Sequence, residues 1–114
     1  MDSISKFNQI VTDALDAYAR KLNRVLPEER QLQTIYDHKQ MRYMLVTIGW
    51  RGRRRVLSVE IYIRIENGKI WIEADETEDG ISTELLAQGI PNTSIILGFY
   101  RAERRELTEF AFAV

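Results

Sequence analysis

The 114-residue chain has no cysteine, one histidine and two prolines. Without cysteine it can form no disulfide, thiol nucleophile, zinc ribbon or iron–sulfur cluster, so histidine and carboxylate chemistry are what remain. The one histidine, His38, sits among Asp37, Lys39 and Gln40 in a turn-like stretch, and no GxSxG elbow accompanies it. A Ser–His–Asp triad is therefore not indicated. Glycines at 49, 52, 68, 80, 89 and 98 are too scattered for a dinucleotide fingerprint, and there is no P-loop. No apolar run approaches the ~18 residues of a membrane span, and MDSISKFNQI has neither a basic leader nor a continuous apolar stretch. One cytoplasmic domain over residues 1–114, without a membrane partner, is expected. A formal charge of -1 lacks the basic excess of a free-standing DNA-binding domain.

Hydrophobic periodicity supplies the elements. Ile4, Phe7, Val11, Ala14, Leu15, Tyr18, Leu22 and Val25 recur at steps of three and four, predicting a long helix with one buried face, capped by Asp2 or Ser3 and ended before Pro27. From residue 31 the period becomes two. QLQTIYD, MRYMLVTIGW and RVLSVEIYIRIE read as strands, with Leu57, Val59, Ile61, Ile63 and Ile65 on the inward face of the third. Asn67-Gly68 favours a type I′ turn and thereby sets a register in which Glu66 faces Lys69, Ile65 faces Ile70, Arg64 faces Trp71, Ile63 faces Ile72, Tyr62 faces Glu73 and Ile61 faces Ala74. GISTELLAQG reads as a short second helix stopped by Gly89, and IILGFY as a last short strand before a less regular tail. The expected class is α+β, a long N-terminal helix packed on an antiparallel sheet of about four strands, with a short second helix after the central hairpin.

Three groups of residues are candidates for function. Asp75, Thr77, Asp79 and Gly80 match EF-hand positions one, three, five and six, but the twelfth position is Leu86 where a bidentate glutamate is required. Capping of the second helix by Asp79 or Thr77 accounts for this stretch without a ligand, although Asp75, Glu78 and Glu84 remain the set for a carboxylate metal protein or enzyme. No metal, cofactor or catalytic constellation is assigned. Arg51, Arg53, Arg54 and Arg55, beside Trp50, form the candidate nucleic-acid contact at a hairpin tip. Tyr62, Arg64 and Trp71 lie on the outward face of the central hairpin and are residue types enriched at protein interfaces. An exposed strand edge and the apolar end FAFAV suit a homodimer.

The chain also resembles the XisI family, proteins similar to the fdxN element excision controlling factor of cyanobacteria. The resemblance rests on Gly49-Trp50, Arg55-Val56, GKIWI at 68–72, Asp75, Thr77-Glu78, Gly80-Ile81, Glu84-Leu85, GIP at 89–91 and LGF at 97–99, in that order and spacing. Two departures stand out. Tyr62 and Arg64 occupy positions where the family often has His and Asp, and Tyr100, Arg101 and Ala102 follow LGF where a proline pair is frequent. The resemblance implies a non-enzymatic controlling factor for site-specific excision of a DNA element, acting with a recombinase and a companion XisH-like protein. It carries no catalytic residues over to this chain.

Overall fold

The computed structural model describes residues 3–110, with side chains from residue 5 onward. The expected cap at Asp2 or Ser3, the Ile4 side chain and the end beyond Phe110 lie outside the described residues. The element order is α1 (Ser3–Asn23), β1 (Arg30–Asp37), β2 (Arg42–Arg51), β3 (Arg54–Glu66), β4 (Lys69–Asp75), α2 (Ile81–Ala87), a 3-10 turn at Asn92–Ser94, β5 (Ile95–Leu97) and α3 (Ala102–Arg105). The strands form one sheet in sequence order.

Helix α1 lies across one face of this sheet because its stripe has something to bury against. Phe7, Val11, Ala14, Leu15 and Ala19 join Leu32, Tyr43, Leu45, Ile61, Ile63, Ile65, Ile70, Ile72 and Ile95 in one core, closed by Ile81 and Leu85 of α2. Each fully buried Leu or Ile contributes about 1.5–3 kcal/mol relative to exposure. Val25, expected on the stripe, falls past the end of the helix and is 76% exposed, while Leu26 packs on the core instead. Helix and sheet are also tied by polar groups. Tyr36 donates from its hydroxyl to the Thr12 carbonyl and to Asp16 Oδ1, and Tyr43 donates to Asn8 Oδ1 at 2.6 Å. His38 Nδ1 lies 3.2 Å from that same Asn8 oxygen, in the loop expected for it.

The sheet edge at β1 is partly occupied. Asn23 donates through Nδ2 to the Leu32 carbonyl and accepts from the Leu32 amide at 2.7 Å, so its side chain replaces a strand partner there. At the other edge β5 runs parallel to β4, not antiparallel as expected of the sheet. The reason is connectivity. Helix α2 returns the chain to the starting end of β4, and a parallel neighbour requires such a crossover.

Two β-bulges correct the register read from alternation. In β4 the pairs nearest the Asn67-Gly68 turn, from Glu66–Lys69 to Ile63–Ile72, are as expected, but Tyr62 then faces Ala74 and Ile61 faces Asp75. Glu73 is the extra residue. In β3, Ile61 pairs with Leu45 while Val59 pairs with Val46, leaving Glu60 as a second extra residue. Beyond it the faces exchange. Val56, Ser58 and Glu60 turn toward the helix side, and Leu57 and Val59, expected inside, become 68% and 42% exposed on the outer face.

Candidate interaction site on the outer sheet face

Because α1 and α2 cover only one face, the other is defined by side chains of opposite parity. Ile35 pairs with Met44 and Met44 with Tyr62; Val46 pairs with Val59, Ile48 with Leu57, and Trp50 with Arg55. Cross-strand partners on one face lie within side-chain reach, so these residues form one apolar patch. Its exposed members are Ile35 at 49%, Trp50 at 47%, Leu57 and Val59. Leaving a Leu and a Val in water forgoes roughly 1–3 kcal/mol each. Exposed apolar patches of this kind make the face a candidate interaction surface. Residue-by-residue alternation in β3 conceals it. The signal was in β2, where Tyr43 and Leu45 point inward but Val46, Ile48 and Trp50 carry the opposite parity, an apolar pattern on both faces of one strand.

The same face continues to Arg64, Trp71 and Ile96, which are cross-strand neighbours. Here the structure supplies its own cover. The Arg64 guanidinium lies 4.4 Å from the Trp71 ring centroid and that of Arg105, from α3, lies 5.6 Å away, so the indole is held by two cations. Arg64 donates from Nε to Glu73 Oε2 at 2.9 Å and also pairs with Glu66. Burial alone would lower its pKa, but the hydrogen bond and charge of Glu73, with Glu66, hold the guanidinium above its ordinary value. Tyr62, Arg64 and Trp71 are therefore half-buried, more enclosed than the freely exposed trio read from the sequence. Arg64 and Trp71, placed opposite each other by the expected register, are stacked.

The arginine tip does not present four guanidiniums together. Gly52, at φ +63, and Arg53 make the turn; Arg51 and Arg54 pair across it on the helix side, whereas Arg55 stacks 5.3 Å from the Trp50 ring on the outer face. All four arginines are exposed, and among the described residues none is in an ion pair.

The acidic stretch folds around Asp75. Its Oδ1 accepts from the Thr77 amide at 2.9 Å and from the Thr77 hydroxyl, and its Oδ2 accepts from the Ile81 amide at 2.7 Å. Thr77 Oγ1 in turn accepts from the Gly80 amide. The start of α2 is thus served by Asp75, with Thr77 one step behind, and not by the Asp79 carboxylate. Both Asp75 oxygens face donors, as a carboxylate does when it organises a turn. Glu84 accepts from Gln88 one helical turn on. The expected set of Asp75, Glu78 and Glu84 is not brought together as ligands, and no group of three His, Asp or Glu residues arranged for a metal occurs among the described residues.

A five-stranded sheet with α1 and α2 on one face and an apolar patch left open over β1–β3 on the other defines the class, an α+β domain. The chain belongs to the XisI family, whose model, described as XisI protein, matches residues 1–112. A solved fdxN element excision controlling factor XisI from Anabaena variabilis is similar to it, with 38% identity over 98% of this chain and 100% of that one and a TM-score of 0.82. A XisI-like protein from the same organism shares 28% identity over 96% of this chain and 99% of that one, with a TM-score of 0.88. Comparison with curated proteins gave no match.

Proposed function

We propose that this chain is a non-enzymatic controlling factor for site-specific excision of a DNA element, and that it acts by binding a partner protein, an XisH-like protein or the recombinase machinery. Family membership supports excision control. The observation that carries the protein-binding part is the open apolar patch of Ile35, Trp50, Leu57 and Val59. Its centre is aliphatic, and its ends carry a tryptophan and the Arg64–Trp71 pair with Tyr62, the composition of an interface with a few anchoring aromatics.

The test is copurification and calorimetry of this chain with the XisH-like protein of its host. Leu57→Asp, at an exposed strand position, is expected to leave thermal stability within a few degrees of wild type and to weaken association at least about 30-fold, as loss of an interface anchor does. Unchanged binding by Leu57→Asp, or no association at micromolar concentration, refutes the reading.

A second reading, direct DNA contact, is favoured by the four exposed arginines free of ion pairs at the β2–β3 tip. It requires an affinity for duplex DNA that falls steeply with salt, with the slope reduced by about 2–3 when Arg53, Arg54 and Arg55 become alanine. Absence of any mobility shift at low salt eliminates it.

A further inference from the structure

The bulge at Glu60 also builds a cavity on the helix side. Beyond the last core contacts of α1, a cavity of about 270 Å³ lies between Leu22 and Leu26, the β2–β3 hairpin and the loop after β4. Its floor is apolar, from Leu22, Leu26, Leu32 and Val56, and its ends carry opposite charge. At one end Glu60 Oε1 accepts from the Thr47 hydroxyl at 3.0 Å and the Ser58 hydroxyl at 2.8 Å, leaving Oε2 without a donor among the described residues. The Glu76 amide donates to the Glu60 carbonyl, which places Glu76 and then Glu78 at this same end. At the other end stand Arg30 and Arg51. Arg30 Nε is buried and has no hydrogen-bond partner, and no ion pair joins either arginine to a carboxylate among the described residues. Arg30 pairs with Gly49 and the Glu60 bulge lies beside Val46, so the two ends are separated by three residues of β2, roughly 10 Å.

A cavity of opposite charged ends over an apolar floor is complementary to an elongated dipolar molecule. We propose that it binds a small zwitterion of the basic amino-acid class, with the guanidinium or ammonium group at Glu60, Glu76 and Glu78 and the carboxylate at Arg30. Several features specify this class. Three carboxylates against two guanidiniums call for a ligand of net positive charge. The volume equals that of about nine water molecules in the liquid, enough for a free amino acid. Arg30 lines the cavity without an ion pair among the described residues, so its guanidinium is available to a ligand carboxylate there. The negative field at the Glu60 end is visible in Tyr18, whose phenol is pushed up first by burial and then by Asp75, Asp79, Glu60 and Glu78. Bulges recur beside binding sites because they re-aim a side chain, and the Glu60 carboxylate is the side chain re-aimed here.

The probes are L-arginine, agmatine, which lacks the carboxylate, and N-acetyl-L-arginine methylamide, which mimics a peptide residue, followed by calorimetry and thermal shift on the full chain. L-arginine is expected to raise the unfolding midpoint in a concentration-dependent way, and agmatine to bind at least about tenfold more weakly. Glu60→Gln keeps the Oε1 acceptor for Thr47 and Ser58, so it should fold as wild type and bind L-arginine at least about tenfold more weakly. Arg30→Met should weaken L-arginine while leaving agmatine unchanged, which also separates a lost ligand contact from a damaged fold. No heat and no shift with L-arginine at millimolar concentration overturns the proposal, as does undiminished binding by either variant. Equal affinity for the capped and free forms overturns it in favour of a site for an arginine side chain of a peptide.

Discussion

Gly49→Ala is expected to lower the unfolding midpoint by about 10–30 °C. Gly49 ends the inner face of β2 where the chain entering β1 crosses it, and the Trp50 amide donates to the Glu29 carbonyl at 3.0 Å. A Cβ at Gly49 would stand 2.0 Å from that carbonyl oxygen and 2.7 Å from the Arg30 Cα. Both obstacles are backbone, so relief requires parting β1 from β2. The residue also has φ +146, which side-chain-bearing residues avoid at about 1–3 kcal/mol. Added to overpacking of about 1–3 kcal/mol, the total is about 2–6 kcal/mol, against a stability of about 5–15 kcal/mol for a domain of this kind. Gly52→Ala is the control. Its φ is +63 but nothing lies within 4 Å of a Cβ there, so only the conformational part, about 1 kcal/mol, applies. Equal midpoints for the two variants in a thermal melt would show that the crossing at Glu29 is not the constraint. Gly98 is a third kind of site, where the nearest obstacle is not backbone but the Glu73 carboxylate, itself held by Arg64.

This crossing also accounts for the adjacent Gly49 and Trp50. Gly49 is fixed by backbone sterics and Trp50 by the outer face, so two adjacent residues of one motif serve opposite sides of the sheet. The Asn67-Gly68 turn was equally legible, because left-handed conformations at both residues select one loop length and hence the four register pairs beside it. What alternation could not convey was the change of parity at Glu60. Residues 57, 59, 61, 63 and 65 are apolar without a break, and an inserted residue in the backbone ladder leaves no mark on that pattern. The cause is tertiary. α1 ends at Asn23, so no helix face remains to bury Leu57 and Val59 at the far end of the hairpin, whereas Val46 and Ile48 offer them neighbours on the other side. One bulge thereby generates both the apolar outer patch and the charged cavity beneath it, and a reading that kept strict alternation lost both. The short strand in IILGFY was legible but its parallel direction was not, since that direction depends on where α2 delivers β5 and not on the residues of IIL.

The acidic stretch, by contrast, was legible in its residues and misassigned in its roles, and Asp75→Ala tests the assignment made here. Asp75 receives three donors, two of them backbone amides at the junction of β4 and α2. Alanine removes all three bonds to an ionised acceptor and leaves the Thr77 and Ile81 amides without partners in a half-buried loop. The expected destabilisation is about 2–4 kcal/mol, with α2 loosened most. Asp75→Asn retains one acceptor oxygen where two are used, so it should fall between alanine and wild type. A second readout is independent of stability. After burial, Asp75 is the foremost cause of the raised Tyr18 pKa, so the Tyr18 phenol in Asp75→Ala should titrate at lower pH, followed by NMR of the ring carbons. If Asp75 were instead a cation ligand, calcium would raise the melting midpoint of the wild type and not that of Asp75→Ala. The turn assignment requires both proteins to be indifferent to calcium, and requires Asp75→Ala to be unstable in its absence.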